Sequence, residues 1–339
     1  MARYSRLLLD ALATGFPQDE WAALLPDPWE PPIGGVQPRS PGVARRPLFA
    51  AAAITGRPRL DRLVGGCDVA WVPAPAPIAI SPRVPFVLTV HDLSFEHRAA
   101  DYRPYERRWH RLARPRRLAR RAARVIAVSS HVREQAIAEW GLAPDRVVAI
   151  RSGPGRPPGR VGALPPGLAP GYVLAVGALE PRKRPRLLVE AHALARARGL
   201  RANLVLAGDG PQRGELERAG ATVLGFVEDE TLDALYGGAL ALACVSREEG
   251  FGFSPLEALA AGCPPVTSDL PVFAETVGEG ALRVPEGDAG ALAEALLALE
   301  REPRLRERIL EDGSRALAAL SWERTARETY AVLAEAARP

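Results

Sequence analysis

Short runs of apolar residues alternate with amphipathic segments over almost the whole chain. The runs are nearly continuous in apolar residues, which is typical of parallel strands buried on both faces. They lie at residues 68–73, 86–90, 125–129, 147–150, 172–176, 203–207, 222–226, 239–245 and 265–268. The segments between them predict helices at residues 107–124, 132–140, 185–198, 231–236, 255–261 and 289–300. This alternation predicts an α/β protein with doubly wound parallel sheets.

One segment rich in proline and glycine divides this pattern into two halves. Residues 153–171 hold six Pro and six Gly and predict a linker. We therefore expect a first domain over residues 1–155, a linker over 156–170 and a second domain over 171–320. Residues 26–47 are also rich in proline and predict a surface loop. Ligands of open α/β sheets bind beyond the carboxyl ends of the strands, so two such domains are expected to face a shared cleft.

Composition excludes several classes of protein. Of the 339 residues, 47% are apolar and 25% are charged, which indicates a globular chain of about two domains. No apolar run approaches the roughly 18 residues that a membrane-spanning helix needs. The three cysteines are too far apart in sequence for a disulfide framework or a zinc cluster. We expect a cytoplasmic protein with neither a metal nor another cofactor.

Charge is distributed unevenly between the halves. Residues 1–154 carry a net charge of +9, and the remainder carries −5, which suggests different partners for the two domains. Nearly all of the 44 basic residues are arginine, and Lys183 is the single lysine. A compact ammonium in such an arginine-rich chain makes Lys183 a candidate functional residue.

The densest candidate chemistry is the stretch SREEGFGFSPLEALAAGCPP at residues 246–265. Ser254 and Glu257 have the spacing of a capping box at the start of a helix. Glu249 and a glycine-rich turn precede this helix, and a helix start beside such a turn is suited to anion binding. The alternative is that Glu257 only caps its helix and that Glu249 is a solvated loop carboxylate.

A second candidate is the stretch GALEPRKRPRLL at residues 177–188. Pro185 predicts a helix start, which places Arg182 and Lys183 at its positive end. Two cations are poorly placed there unless an anion joins them, so the spacing predicts a phosphate site with Lys183 exposed. A solvated basic turn is the alternative.

These stretches together resemble the retaining glycosyltransferases of family 4, the group 1 glycosyltransferases, which have the GT-B fold. The resemblance rests on EGFGFSPLEALAAGCPPVTSD, VGALEPRKRPRLLVEA, LVLAGDGP and LGFVEDETLDALY in the second half. In the first half it rests on VLTVHDLSFEH and RVIAVSSHVREQ. The final SWERTARETYAVLAEA resembles the family's last helix, so residues 321–339 are expected to cross back to the first domain.

The resemblance implies a binding site for a GDP-, UDP- or dTDP-sugar. Arg182 and Lys183 would hold the diphosphate of this donor, and Glu257 would accept hydrogen bonds from its ribose. Backbone N–H groups of the glycine-rich turn would contact the sugar or the phosphate. That turn consists of Gly250, Phe251 and Gly252.

Two further residues match positions that the family places at the transferred sugar. Glu249 would contact sugar hydroxyls near the anomeric carbon, and His91, at the end of VLTVHD, would face the sugar from the first domain. The implied reaction transfers a hexosyl or deoxyhexosyl unit, mannosyl above all, to a glycan or a lipid-linked acceptor. It is a front-face displacement without metal, and the sequence contains no Asp-x-Asp motif.

The chain departs from the family in three places. Ala178 stands where many relatives have arginine, and Arg151-Ser152-Gly153 stands where relatives often have Asn-Gly. The first β-strand of the N-terminal domain, with its glycine-rich loop, has no counterpart before the helical ARYSRLLLDAL. Since that strand is central in the family's sheet, we also consider a protein that binds the donor without catalysing transfer.

Residues 103–124, from Arg103 to Arg124, contain ten arginines. Such a segment predicts peripheral contact with an anionic membrane, on the inner face for a cytoplasmic protein. A solvated amphipathic helix is the alternative interpretation. Nucleic acid is not an expected partner, because no nucleic-acid-binding motif accompanies the arginines.

Overall fold

The computed structural model describes residues 2–25, 32–42, 45–155 and 162–338. Strands are β1 Trp21–Leu24, β2 Val36–Arg39, β3 Ala70–Val72, β4 Phe86–Val90, β5 Arg124–Ala127, β6 Val147–Ala149, β7 Tyr172–Val176, β8 Leu204–Ala207, β9 Thr222–Gly225, β10 Ala239–Cys244, β11 Pro265–Ser268 and β12 Leu282–Val284. Helices are α1 Ala2–Gly15, α2 Arg45–Thr55, α3 Leu60–Leu63, α4 Ser94–His97, α5 Pro104–Ala113, α6 Pro115–Arg121, α7 Ser130–Trp140, α8 Pro185–Ala197, α9 Arg213–Arg218, α10 Asp229–Gly238, α11 Phe253–Ala260, α12 Pro271–Thr276, α13 Ala289–Arg301, α14 Pro303–Ala318 and α15 Trp322–Ala337.

The chain forms two compact units. The first comprises Met1–Gly153 and Ser321–Pro339, and the second comprises Pro154–Leu320. Each unit contains a parallel sheet with helical connections, which confirms the predicted α/β class with two Rossmann-like domains. Part of the predicted linker, residues 156–161, lies outside the described residues.

The second unit is built on a six-stranded parallel sheet in the order β12-β11-β10-β7-β8-β9. Val173 packs with Leu188 of α8 and Leu292 of α13 in one core cluster. The next residue, Leu174, packs in a second cluster with Leu235 of α10. Successive side chains of a strand point to opposite faces, so helices cover this sheet on both faces. The continuous apolar runs of the sequence reflect this double burial.

The first unit holds two separate parallel sheets, one of four strands in the order β3-β4-β5-β6 and one formed by β1 and β2. Helix α15 packs against α1 and against β4 and β5. Its Thr325 hydroxyl donates a hydrogen bond of 2.8 Å to the carbonyl of Arg151. A Cβ atom on Gly153 would lie 2.5 Å from the Trp322 ring, so glycine is required where the last helix covers this segment. These contacts fix the C-terminal helix on the first unit.

Several elements differ from the sequence-based prediction. The helix predicted over residues 107–124 is broken into α5 and α6, because Arg114 is left-handed at φ 47° and Pro115 follows it. The predicted loop at 26–47 contains β2 and the start of α2, and β1 and β12 were not predicted. Polar or charged residues interrupt β2 (VQPR) and β12 (LRV), so neither has the continuous apolar run that marks the predicted strands, whereas β1 (WAAL) is a short apolar run that the prediction missed.

No helix within the described ranges combines the length and the apolar character needed to cross a membrane.

Candidate functional site

The residues predicted in the second half lie at the carboxyl edge of the six-stranded sheet. The loops that follow β7 and β8 meet backbone to backbone at this edge. Gly208 has φ +152°, and a Cβ atom there would lie 1.9 Å from the carbonyl oxygen of Gly177. Only glycine allows so close an approach, and the contact fixes the loop that leads to Arg182 and Lys183.

Lys183 closes a single 3-10 turn, Pro181–Lys183, between β7 and α8. Arg184 is left-handed at φ 52°, and α8 begins at Pro185 as predicted. The backbone N–H of Arg247 donates a hydrogen bond of 2.9 Å to the carbonyl of Arg182. This bond ties the loop after β10 to the loop after β7, and therefore brings the two predicted stretches together.

Lys183 and Glu249 form an ion pair between Nζ and Oε1. The hydroxyl of Ser246 donates a hydrogen bond of 2.8 Å to the same carboxylate oxygen. The side chains of Lys183 and Glu249 are 24% and 13% exposed. The expectation of an exposed Lys183 is therefore wrong, and so are the alternatives of a solvated basic turn and a solvated Glu249. Partial burial and two partners fix the carboxylate in one position.

The other cations at the start of α8 also have acidic neighbours. Arg182 Nε lies 3.5 Å from Glu180 Oε2, and Arg184 Nη2 lies 2.5 Å from Glu286 Oε1. A cation at a helix N-terminus is unfavourable, and a carboxylate beside it reduces that cost. The basic turn is thus held in place by acidic side chains of its own unit.

Glu257 is buried in α11, but it does not form the predicted capping box. The helix begins at Phe253 with Gly252 as its N-cap, and no side chain caps it. Ser254 lies inside the first turn, and Glu257 Oε2 accepts a hydrogen bond of 3.1 Å from the hydroxyl of Tyr236. Burial, together with this carboxylate, raises the pKa of Tyr236 well above its usual value, so the hydroxyl stays a donor. Glu257 therefore depends on α10, not on its own helix start.

The turn of Gly250, Phe251 and Gly252 is buried. Phe251 is 3% exposed, and its ring centroid lies 5.2 Å from that of Phe253. Gly252 has φ +85°, and a Cβ atom there would lie 2.6 Å from the Phe273 ring. The phenyl ring of Phe251 thus serves packing, which leaves the backbone of this turn as its means of contacting a ligand.

His91 follows β4 in the first unit, at the carboxyl end of its strand as predicted. Its Nε2–H donates a hydrogen bond of 2.8 Å to the carbonyl of Pro73, and Tyr4 packs edge-on with ring centroids 4.7 Å apart. Burial lowers the pKa of His91 to about 4, while the bond to Pro73 and the charge of Asp92 partly oppose this shift. The imidazole is therefore neutral near pH 7, with Nδ1 as an acceptor.

Three residues of the second unit were missed by sequence reasoning. Ser246 could have been found, because it lies three residues before Glu249 in the same loop. Tyr236 has no sequence signal, because it reaches Glu257 from another helix. The third is Cys244, at the end of β10, which sequence reasoning did not place near the site. Burial and the charge of Glu249 raise the pKa of its thiol to about 12, so this cysteine is not a thiolate nucleophile near pH 7.

Over the described ranges, no group of three or more His, Cys, Asp or Glu side chains has the geometry of a metal site.

Comparison with known protein families identifies both halves of the chain. The family described as "Glycosyl transferases group 1" matches residues 165–315, and "Glycosyltransferase Family 4" matches residues 15–153. Among curated proteins, the chain is 32% identical over 276 residues to a D-inositol 3-phosphate glycosyltransferase of Nocardia farcinica, covering 72% of this chain and 60% of that protein. It is also 32% identical over 170 residues to the O-antigen chain mannosyltransferase B of Escherichia coli, covering 47% and 44%. These alignments thus span less than two thirds of either relative.

Two solved structures share the fold over nearly the whole chain. The sucrose-phosphate synthase of Thermosynechococcus elongatus has a TM-score of 0.69 at 21% identity, covering 98% of this chain and 92% of that one. A structure of Anabaena Alr3699/HepE with UDP and glucose has a TM-score of 0.67 at 19% identity, covering 98% and 95%. The two family matches follow one another along the chain as the two Rossmann-like units do, and the chain therefore belongs to the group 1 (family 4) glycosyltransferases of GT-B fold.

Proposed function

We propose that this protein is a retaining glycosyltransferase that uses a nucleotide-diphosphate sugar as donor. The observation that carries the proposal is the arrangement of Lys183, Glu249 and Ser246 at the carboxyl edge of the six-stranded sheet. A cation and a fixed carboxylate side by side suit a ligand that has a phosphate next to sugar hydroxyls. Family membership supports this assignment.

The donor's diphosphate would bind at Arg182 and Lys183. An ammonium has three N–H donors, and the pair with Glu249 uses one of them, so Lys183 can serve Glu249 and a phosphate oxygen together. Glu257, held by Tyr236, would accept hydrogen bonds from the ribose. The backbone of Gly250 to Gly252 would face the sugar or the phosphate.

The reaction we propose is a front-face displacement. The bond between the anomeric carbon and the diphosphate oxygen breaks, and a bond from the acceptor oxygen forms on the same face of that carbon. The acceptor's proton passes to the departing phosphate oxygen, so no dedicated protein base is required. Arg182 and Lys183 neutralise the charge that develops on the leaving diphosphate, and Glu249 positions the sugar.

His91 would contact the sugar from the first unit as a neutral group. Its Nε2–H is engaged by Pro73, which leaves Nδ1 to accept a hydrogen bond from a sugar hydroxyl. An uncharged imidazole adds no positive charge beside an anomeric carbon that becomes electron-poor as its bond breaks.

The transferred unit is proposed to be a hexose or deoxyhexose, with mannose first. Several relatives are named mannosyltransferases, and one, from Komagataeibacter xylinus, is named a GDP-mannose:cellobiosyl-diphosphopolyprenol alpha-mannosyltransferase. Structural neighbours were solved with UDP, which supports a UDP-sugar as donor. GDP- and dTDP-sugars are the other donors that we propose, on the basis of the family resemblance. The acceptor would be a glycan or a lipid-linked glycan.

Contact with an anionic membrane through residues 103–124 forms part of the proposal, for a protein acting on the cytoplasmic side. Arg108 is exposed on α5, as are the large apolar side chains of Tyr105 and Leu112, which are 57% and 44% exposed. Exposed arginines beside exposed apolar side chains suit the interface of an anionic bilayer.

A panel of GDP-, UDP- and dTDP-sugars tests this function. Saturable binding of one donor, with a higher melting temperature and release of the nucleoside diphosphate, is the expected result. A donor at about 100 times its Kd should add roughly 2.7 kcal/mol to the free energy of unfolding. Proton NMR of the product should show the donor's anomeric configuration, and a chelator should leave the rate unchanged. Failure of every donor to bind contradicts the proposal.

Donor binding without any release supports the second candidate, a binding protein without turnover. The observation that favours this candidate is the division of the first unit's strands between two separate sheets.

A further inference from the structure

A second group of cations surrounds a cavity in the first unit. The cavity has a volume of about 510 Å³ and lies among α4, α5 and α6. Five of its lining residues are arginines, and Glu96 is the acidic residue among them. The arginines are Arg107, Arg111, Arg114, Arg116 and Arg117.

Glu96, the acidic residue of the cavity, already has hydrogen-bond partners within the first unit. Both carboxylate oxygens of Glu96 accept hydrogen bonds from Arg116, at 3.2 and 3.3 Å. The indole N–H of Trp140 donates a further bond of 3.2 Å to the same carboxylate. Within the described ranges, the other four arginines have no carboxylate within ion-pair distance. The cavity therefore presents four arginines that have no ion-pair partner among the described residues.

Aromatic side chains form another part of the wall. The rings of Phe95 and His110 are stacked, with centroids 4.5 Å apart and planes at 6°. Tyr102 packs edge-on against His110 at 5.5 Å, and its hydroxyl is hydrogen-bonded to Ser94. Such ring surfaces pack well against the carbon atoms of a sugar or of another organic group.

His110 lines this cavity with its ring. Its Nδ1 is buried and has no hydrogen-bond partner in the part of the chain that the structure describes. A buried polar atom without a partner costs free energy, but an atom without exposed surface cannot meet a ligand in the cavity, so the ring carbons are the part of His110 that serves the site.

We propose that this cavity is a binding site for an organic phosphate, in addition to the donor site of the second unit. The planar guanidinium groups bind phosphate oxygens through paired hydrogen bonds, and the aromatic wall takes the organic part of the ligand. Inorganic phosphate lacks that organic part and should bind more weakly. The same chemistry is presented by a soluble sugar phosphate and by the phosphomonoester headgroup of phosphatidic acid.

The test compares two double variants with the same loss of charge. Arg111→Ala/Arg117→Ala removes one cavity arginine from each of α5 and α6. The control, Arg108→Ala/Arg121→Ala, removes one exposed arginine from each of the same helices outside the cavity. The probes are glucose 1-phosphate, inorganic phosphate, glucose, and phosphatidylcholine vesicles with or without phosphatidic acid. Calorimetry measures the soluble probes, and cosedimentation measures the vesicles.

We expect glucose 1-phosphate or phosphatidic acid vesicles to bind, and the cavity variant, which loses two arginines, to weaken that binding by at least about tenfold in total. The control variant should change glucose 1-phosphate binding by less than about threefold, because its two arginines lie outside the cavity, and it should weaken vesicle binding less than the cavity variant does. Specific loss with the soluble probe indicates a soluble ligand, and specific loss with vesicles alone indicates a lipid headgroup. Glucose should not bind.

Equal loss in both variants would mean diffuse attraction to a basic surface and would overturn the site. Absence of binding by every phosphate probe would overturn it as well. The affinity for GDP or UDP should be unchanged in the cavity variant, because the proposed diphosphate site lies in the second unit. If nucleotides fail to bind the wild-type chain while glucose 1-phosphate binds, the donor proposal fails and the cavity proposal stands.

Discussion

The two basic regions of this protein treat their charges in opposite ways. At the start of α8, Lys183, Arg182 and Arg184 lie beside acidic side chains of their own unit. Around the cavity of the first unit, Arg107, Arg111, Arg114 and Arg117 have no carboxylate within ion-pair distance among the described residues. An ion pair fixes the position of a cation, but the partner carboxylate offsets part of its positive charge. A cation without an ion-pair partner keeps its full charge for a ligand. The first arrangement is suited to holding a ligand in a defined position, and the second is suited to attracting an anionic ligand.

Removing the lysine should give the largest effect in this comparison. Lys183→Ala should weaken GDP or UDP binding by about tenfold to a hundredfold, the size of a lost charge-assisted contact to phosphate. Calorimetry with the diphosphate and with the bare nucleoside measures this. The matched variant Arg111→Ala should leave nucleotide affinity unchanged. Equal losses of nucleotide affinity in the two variants would mean that the two basic regions do not differ in nucleotide binding.

Neutralising the paired carboxylate should affect turnover more than stability. Glu249→Gln keeps a side-chain oxygen for Ser246 but removes the charge opposite Lys183. We expect turnover to fall by at least about tenfold, because the group proposed to position the reacting sugar loses its negative charge. The melting temperature should change little. Unchanged turnover with a large loss of stability would make the pair structural only.

Removing one hydroxyl tests the second fixed carboxylate. Tyr236→Phe deletes the donor to Glu257 in a buried contact and should cost about 1 kcal/mol of unfolding free energy. Denaturant unfolding measures this, and Tyr105→Phe, at an exposed position, is the control. The affinity of the Tyr236→Phe variant for the donor should also fall if Glu257 binds the ribose. A loss of stability with full donor affinity would assign Glu257 to packing.

Protonation of His91 should destabilise the fold in acid. Its pKa is about 4 in the folded chain and about 6.5 in the unfolded chain, so the unfolded chain binds more protons between these values. The contribution of His91 to stability is complete above about pH 6.5 and is lost as the pH falls towards 4. An NMR titration of His91 should have its midpoint near 4. His91→Gln should have a weaker acid dependence of its melting temperature. A midpoint near 6.5 would show that the ring is charged in mild acid.

The smallest expected effect is on the stability of the ligand-free protein when arginines of the cavity are neutralised. Arg111→Gln/Arg117→Gln should raise the free energy of unfolding by a few tenths of a kcal/mol, because it relieves repulsion between like charges. Added salt should have a similar effect on the wild-type chain. Thermal unfolding at low and moderate salt measures this. A clear loss of stability would mean that these arginines are balanced within the fold.

Much of the second unit could be predicted from local sequence. Its strands are apolar runs because helices cover both faces of the sheet, as Val173 and Leu174 illustrate. Pro185 marked the start of α8 because its ring fits the first helical turn. Local spacing failed at Ser254 and Glu257. A left-handed glycine, Gly252, caps the helix two residues before the predicted N-cap, and the Glu257 carboxylate accepts its hydrogen bond from Tyr236. A capping motif in sequence cannot reveal a competing partner on another helix.

The sequence alone determined the α/β class, the family and the two stretches that carry the candidate donor site, since each depends on periodicity or on motifs within about twenty residues. Only the tertiary structure paired Lys183 with Glu249, joined Glu257 to Tyr236 and gathered arginines from α5 and α6 around one cavity. These contacts join residues that are separate in sequence. Whether a charge is balanced depends on which side chains the fold brings within about 4 Å, a distance at which Coulomb attraction is substantial in a partly buried setting.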